Sequence, residues 1–148
     1  MIAAAATKGD VLVKNIVPMH MDALTAKMLE MGAEIEELDD AIRVRAPKRL
    51  HAANIKTYPY PGFPTDLQQP ATVLLSTAEG TSVIVENIFE ARFKHIDEIR
   101  RMGAQVTIDD RIAVVRGVER LTGDKPLEGR PIEELNDLWR QAKEHEDL

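Results

Sequence analysis

The sequence predicts an α/β fold of about two repeated β-α-β-α-β-β units with a C-terminal amphipathic helix, and three observations lead there. One pattern occurs twice at an offset of 71 residues: Gly9 answers Gly80, Met31-Gly32-Ala33 answers Met102-Gly103-Ala104, Asp39 answers Asp110, and Val44-Arg45 answers Val115-Arg116. Within each copy, β-branched runs alternate with segments of helical period. The 148 residues, 44% hydrophobic and 30% charged, suit one soluble globular domain with a sizeable core rather than two.

The elements follow in order. Residues 1–6 are apolar and read as the tail of a first helix; lacking a basic segment ahead of them, they are too short for a signal peptide. Residues 10–14 and 81–85 are β-branched runs after a Gly turn, and each reads as a mostly buried strand. A helix over 21–31 follows from Met21, Leu24, Met28 and Met31, and Phe93, Ile96, Ile99 and Met102 repeat that spacing. Both helices stop at a glycine, Gly32 or Gly103, suited to the left-handed conformation beyond a helix end. Hairpins come next: 34–38 with 41–45 around Asp39-Asp40, and 105–108 with 112–116 around Asp109-Asp110. Asn15-Ile16 pairs with Asn87-Ile88 at one residue more, so the repeat carries a small indel.

Between the copies, 54–58 reads as a strand and 66–78 as a helix, with Leu67, Val73, Leu74 and Ala78 facing inward. Units therefore run 1–53 and 54–123, the first without its opening strand and most of its first helix. Residues 124–148 hold 8 acidic and 4 basic side chains, an acidic extension in which Pro131 opens a helix to Lys143. Its apolar face, Ile132, Leu135, Trp139 and Ala142, either docks on the body of the chain or takes a partner. Unpaired strand edges and helix faces of an incomplete set of units predict a dimer or a tail packed over the gap.

Composition excludes several functions. With 19 Lys and Arg against 25 Asp and Glu, the net charge of −6 argues against general nucleic-acid or anionic-membrane binding. No apolar run approaches the roughly 20 residues of a membrane-spanning helix. The absence of cysteine rules out disulfides, thiolate metal sites and a Cys nucleophile in this chain, and fits a cytoplasmic location. No dinucleotide fingerprint, Walker-type loop or His-Glu-x-x-His pair is present. His20, His51, His95 and His145 lack ligand spacing, so neither a metal nor a cofactor is expected.

Two stretches stand out. Tyr58-Pro-Tyr-Pro-Gly-Phe-Pro-Thr-Asp66 makes a rigid approach to a helix, in which Thr65 or Asp66 caps free backbone N–H groups. The same rigidity suits a carboxylate that binds or deprotonates a hydroxyl. Glu86-Asn-Ile-Phe-Glu-Ala-Arg-Phe93 joins strand to helix, where Arg92 meets either a ligand or an intrachain partner, Glu90 or Asp97.

Together, residues 60–70 (YPGFPTDLQQP), 86–93 (ENIFEARF) and 101–104 (RMGA) resemble the UDP-N-acetylglucosamine enolpyruvyl transferases of the EPSP synthase-like family, over roughly residues 1–123. The resemblance implies an inside-out α/β barrel of β-α-β-α-β-β units. It also implies transfer of enolpyruvyl from phosphoenolpyruvate to the 3-hydroxyl of UDP-N-acetylglucosamine, the first committed step of peptidoglycan synthesis. Asp66 matches the aspartate that contacts the 3-hydroxyl and is its proposed base. Ile88 matches a position whose backbone contacts the sugar nucleotide, and Arg92 an arginine facing the interdomain cleft. The family's mobile loop with its catalytic Cys or Asp, and its Lys-Asn and Arg groups for phosphoenolpyruvate, match no segment here, and residues 124–130 depart from its Asp-Leu-Arg-Ala motif. An enzyme would need a second polypeptide to complete the cleft. The other readings are an inactive truncated paralogue and an engineered fragment, each serving as a binding scaffold.

Overall fold

A computed structural model describes residues 1–122. The helix expected over 131–143, with Trp139, lies outside the described residues. In order, the elements are α1 (Ile2–Ala6), β1 (Asp10–Lys14), α2 (Asp22–Glu30), β2 (Glu34–Glu37), β3 (Ala41–Arg45), β4 (Ile55–Lys56), α3 (Gln68–Leu75), β5 (Thr81–Val85), α4 (His95–Arg101), β6 (Gln105–Asp109) and β7 (Ile112–Arg116). Short 3-10 turns, Pro18–Met21 and Thr65–Leu67, lead into α2 and α3.

The strands form two sheets, ordered β1-β3-β2 and β4-β5-β7-β6. In the first, β3 pairs antiparallel with β1 (Val11↔Val44) and with β2 (Ile35↔Val44). In the second, β7 pairs antiparallel with β5 (Ser82↔Val115) and with β6 (Val106↔Val115), so Val44 and Val115 hold equivalent registers 71 residues apart. The difference lies in β4, which adds to the free side of β5 as a parallel strand, Ile55 opposite Ile84.

That difference corrects one expectation. β5 alternates, with Ser82 and Ile84 fully buried, whereas β1 is an edge strand with Val11 and Leu12 exposed at 44% and 41%. A β-branched run reports strand propensity, and burial depends on what lies alongside.

Helices α1 and α2 cover the first sheet, α3 and α4 the second, and α1 packs on α3 to join the layers. The shared core includes Met28, Ile42, Val44, Leu75, Ile84, Ile96, Ala113 and Val115, each at most 1% exposed. Gly32 and Gly103 both sit at φ +92, as the helix stops require. The helix spacings hold for Leu24, Met28 and Met31 and for Phe93, Ile96 and Ile99, all buried, but Met102 is exposed. The chain returning beside Met31, where the His51 amide donates to the Met31 carbonyl, has Thr122 as its counterpart at Met102, the last described residue. Of the positions expected to face inward, Leu74 in α3 and Ala78 beyond its end are buried and Leu67 ahead of it partly so, but Val73 is 37% exposed. The helix begins two residues later and ends three residues earlier than its pattern suggested, and its buried residues are Gln68, Ala71, Thr72, Leu74 and Leu75.

Arg49 links the halves. Its guanidinium donates to the carbonyls of Thr77, Ala78 and Val118, closing the end of α3 against the connections on either side. Leu75→Ala should cost about 2–5 kcal/mol in equilibrium denaturation, and Val73→Ala within about 0.5 kcal/mol. Equal losses would mean that the inward face of α3 is assigned wrongly.

Candidate functional site

Two loops meet beyond the ends of β4 and β5. The first leaves β4 at Thr57 and folds on itself: the Tyr58 amide donates to the Phe63 carbonyl at 3.0 Å and the Gly62 amide to the Pro59 carbonyl at 2.8 Å. A Cβ on Gly62 would stand 2.5 Å from that of Tyr58, so only glycine closes the turn. Phe63, 5% exposed, anchors the loop in the core and delivers Thr65 and Asp66 to the start of α3.

The second loop runs from Glu86 at the end of β5 to Lys94 before α4. Ala91 lies at φ +52, in the left-handed region that alanine avoids at a cost of roughly 1–2 kcal/mol. Strain of that kind survives where the surroundings hold the backbone, here immediately before Arg92.

Arg92 is the meeting point. Its Nη2 donates to Asp66 Oδ1 at 2.7 Å, and its guanidinium lies 5.0 Å from the centre of the Phe89 ring. With the Gln69 amide turned to satisfy both of its ends, Gln69 accepts from Arg92 Nε at 3.1 Å and donates to the Thr65 carbonyl at 3.3 Å. The partners considered from sequence, Glu90 and Asp97, pair elsewhere, with Arg111 at 2.8 Å and Arg100 at 3.1 Å. Neither Thr65 nor Asp66 caps the helix, because both side chains are drawn across to the second loop. Asp66 remains 86% exposed and accepts through one oxygen only among the described residues.

Glu86 does not stand out in the sequence as a site residue. It is 1% exposed and forms no ion pair among the described residues. Oε1 accepts from Thr57 Oγ1 at 2.8 Å and from the amides of Ile88 at 2.9 Å and Phe89 at 3.2 Å, and Oε2 accepts from Thr65 Oγ1 at 3.0 Å. Burial pushes its carboxyl up, and the hydrogen bonds from Thr57, Ile88, Thr65 and Phe89 together outweigh that and hold it below the ordinary glutamate value. Ile88 thus has its N–H engaged, while its carbonyl accepts no hydrogen bond among the described residues.

Beside Arg92 lies a cleft of about 390 Å³ lined by Gln69, Phe89, Glu90, Ala91, Lys94 and His95. Both ring nitrogens of His95 are shielded from solvent without a well-formed hydrogen bond. Burial lowers its pKa, and the facing Arg92 carbonyl offsets only part of that, which keeps the ring neutral at neutral pH. A carboxylate oxygen, a free carbonyl and a restrained guanidinium therefore sit on two adjoining loops, a set able to engage hydroxyls and anions.

The sequence model of the EPSP synthase (3-phosphoshikimate 1-carboxyvinyltransferase) family matches residues 1–125. The chain belongs to the EPSP synthase family. It is 58% identical over 123 residues to a UDP-N-acetylglucosamine 1-carboxyvinyltransferase of Desulfofundulus thermocisternus, covering 83% of this chain and 51% of that protein. Identity is 54% over 123 residues to UDP-N-acetylglucosamine 1-carboxyvinyltransferase 3 of Caldanaerobacter subterraneus subsp. tengcongensis, of which 30% is covered. The chain thus spans about half of one relative and under a third of the other. The fold also matches the enolpyruvyl transferase NikO from Streptomyces tendae, with a TM-score of 0.70 at 20% identity over 78% of this chain and 28% of NikO. EPSP synthase from Acinetobacter baumannii matches with a TM-score of 0.61 at 16% identity, over 82% of this chain and 28% of that protein. The α/β architecture is therefore that of the EPSP synthase family.

Within this site two groups gain protons more readily when unfolded than when folded, so stability should fall on acidification. The His95 contribution is complete above the ordinary histidine range and is lost as pH drops through and below it. The Glu86 contribution is lost further down, as pH passes below the ordinary glutamate range. Denaturant midpoints measured against pH should show the first decline removed by His95→Asn and the second flattened by Glu86→Gln. Unchanged pH profiles in both variants would contradict these assignments.

Proposed function

We propose that this chain forms the sugar-nucleotide side of an enolpyruvyl transferase acting in cytoplasmic peptidoglycan synthesis. The reaction joins the 3-hydroxyl of UDP-N-acetylglucosamine to the enolpyruvyl group of phosphoenolpyruvate and releases phosphate. The observation that carries the reading is the 2.7 Å contact of Asp66 with Arg92, which unites the two loops that hold all three candidate residues, in a chain 58% identical to a protein named for this activity.

Each residue has a role in that reading. Asp66 keeps an oxygen free while Arg92 holds the other, so it can accept a hydrogen bond from the sugar hydroxyl and then its proton as the hydroxyl becomes a nucleophile. The Ile88 carbonyl takes a donor of the sugar nucleotide. Arg92 supplies positive charge where phosphate and carboxylate charges lie close to the reacting carbon. Groups that hold phosphoenolpyruvate come from further parts of the protein or a second polypeptide, since the relatives are from about two to more than three times as long as the matched region.

Amide NMR titration of the chain with UDP-N-acetylglucosamine tests this. Shift changes should cluster at Asp66, Ile88 and Arg92, and Asp66→Ala should weaken binding by about tenfold or more, the loss expected for a hydrogen bond to a charged group. A dispersed spectrum that stays unmoved at millimolar ligand would overturn the proposal.

A further inference from the structure

Glu86 lies outside the groups assigned to the ligand above, yet both loops depend on it. We infer that Glu86 is a positioning residue of this site: its buried carboxylate aims the Ile88 carbonyl outward and holds the Thr65-Asp66 step in the same frame, for a nucleotide-linked sugar to span. This rests on the function proposed above.

The argument begins with the peptide plane. The Ile88 carbonyl and the Phe89 N–H belong to one peptide group, and in a trans peptide they point in opposite directions. Glu86 Oε1 receives the Phe89 N–H at 3.2 Å from the buried side, so the Ile88 carbonyl is directed away from the interior. The Ile88 N–H at 2.9 Å fixes the preceding plane on the same oxygen. Thr65 Oγ1 reaches the other oxygen at 3.0 Å, which fixes the residue next to Asp66. Thr57 closes the arrangement, donating to Oε1 at 2.8 Å while accepting from the Asn87 amide at 2.9 Å.

The choice of residue is the second step. An apolar side chain could fill a position this buried, but it would leave the Ile88 and Phe89 amides and the Thr57 and Thr65 hydroxyls without their acceptor. A carboxylate there demands that every donor be in place, so displacing either loop strands a buried charge. The two loops thereby move together or not at all.

The test uses the whole chain, with Glu86→Gln, Thr65→Val and Thr65→Ser followed by amide NMR and titration with UDP-N-acetylglucosamine. Glu86→Gln should stay dispersed, lose exchange protection at the Phe89 amide and bind about tenfold or more weakly. Thr65→Val should weaken binding to a smaller extent and shift the Ile88 and Phe89 amides across the carboxylate, and Thr65→Ser, which keeps the hydroxyl, should restore both. A purely structural role would lower the denaturation midpoint and leave the affinity of the folded variant at the parent value, which overturns the inference. If Glu86→Gln does not fold, parent-like affinity and unmoved Ile88 and Phe89 amides in Thr65→Val overturn it. If the parent chain itself does not bind, the functional reading fails separately. Glu86 is then judged on coupling alone, with perturbations confined to the substituted residue's own loop counting against it.

Discussion

A carboxylate taken out of water has to find its hydrogen bonds inside the protein, and the arrangement around Glu86 follows from that requirement. Four donors converge on it from three stretches of chain: Thr57 at the end of a strand, Thr65 at the foot of a helix, and Ile88 with Phe89 in a loop. Little strand pairing holds these stretches. The first has only the two paired residues of β4 behind it, and the last contains an alanine in a left-handed conformation. Satisfying one buried charge ties the three segments into a single surface.

The scaffold makes that convergence possible through one parallel pairing. β4 lies beside β5 with Ile55 opposite Ile84 and Lys56 opposite Val85, so both strands end at the same level and their loops leave side by side. Parallel neighbours need a long crossover, and α3 supplies it; Asp66, just ahead of that helix, stays at the strand ends. The first sheet has no strand at the corresponding edge of β1 among the described residues, and its strand-to-helix loop, with Asn15 also at positive φ, has no Pro-rich loop beside it. Similar local sequences thus give a site in one sheet and an exposed edge in the other.

Much of this was legible in the sequence because the signals are local. The β-branched runs, the methionine and isoleucine spacings and the helix-ending glycines report periodicity and backbone freedom, and β1, β3, β5 and β7 fall where those signals put them. What failed depends on neighbours distant in sequence. Val11 and Leu12 look like core residues until β1 is seen to be an edge; Val73 fits a helical stripe that is displaced once Thr65–Leu67 is a 3-10 turn. In the site, residue types and loops were readable but the pairing was not. Arg92 had acidic neighbours nearby in sequence and took a carboxylate 26 residues away. Glu86 sits one residue beyond a strand, where a carboxylate ordinarily faces solvent; only the presence of Thr57 and Thr65, each a hydroxyl donor, could have hinted at its burial.

The Asp66–Arg92 pair also constrains how ligands enter. A guanidinium carries five N–H donors, and among the described residues one reaches Asp66 and another Gln69, which leaves three. An anion can therefore bind Arg92 without displacing Asp66, so the carboxylate keeps its neutralising partner while a phosphate or carboxylate approaches. A hydroxyl arriving at the free Asp66 oxygen likewise leaves the ion pair intact. The pair is largely exposed on the Asp66 side, where its own contribution to folding is at most about 1 kcal/mol, so stability is not a sufficient reason for its geometry. Its consequence is spatial: a proton-accepting oxygen and an anion-binding group are held at adjacent points, with Phe89 and Gln69 limiting the guanidinium on its other sides. Under the function proposed above, deprotonating a hydroxyl beside a phosphate-bearing reactant needs those two functions next to each other, and the donors left on Arg92 and the oxygen left on Asp66 meet that need.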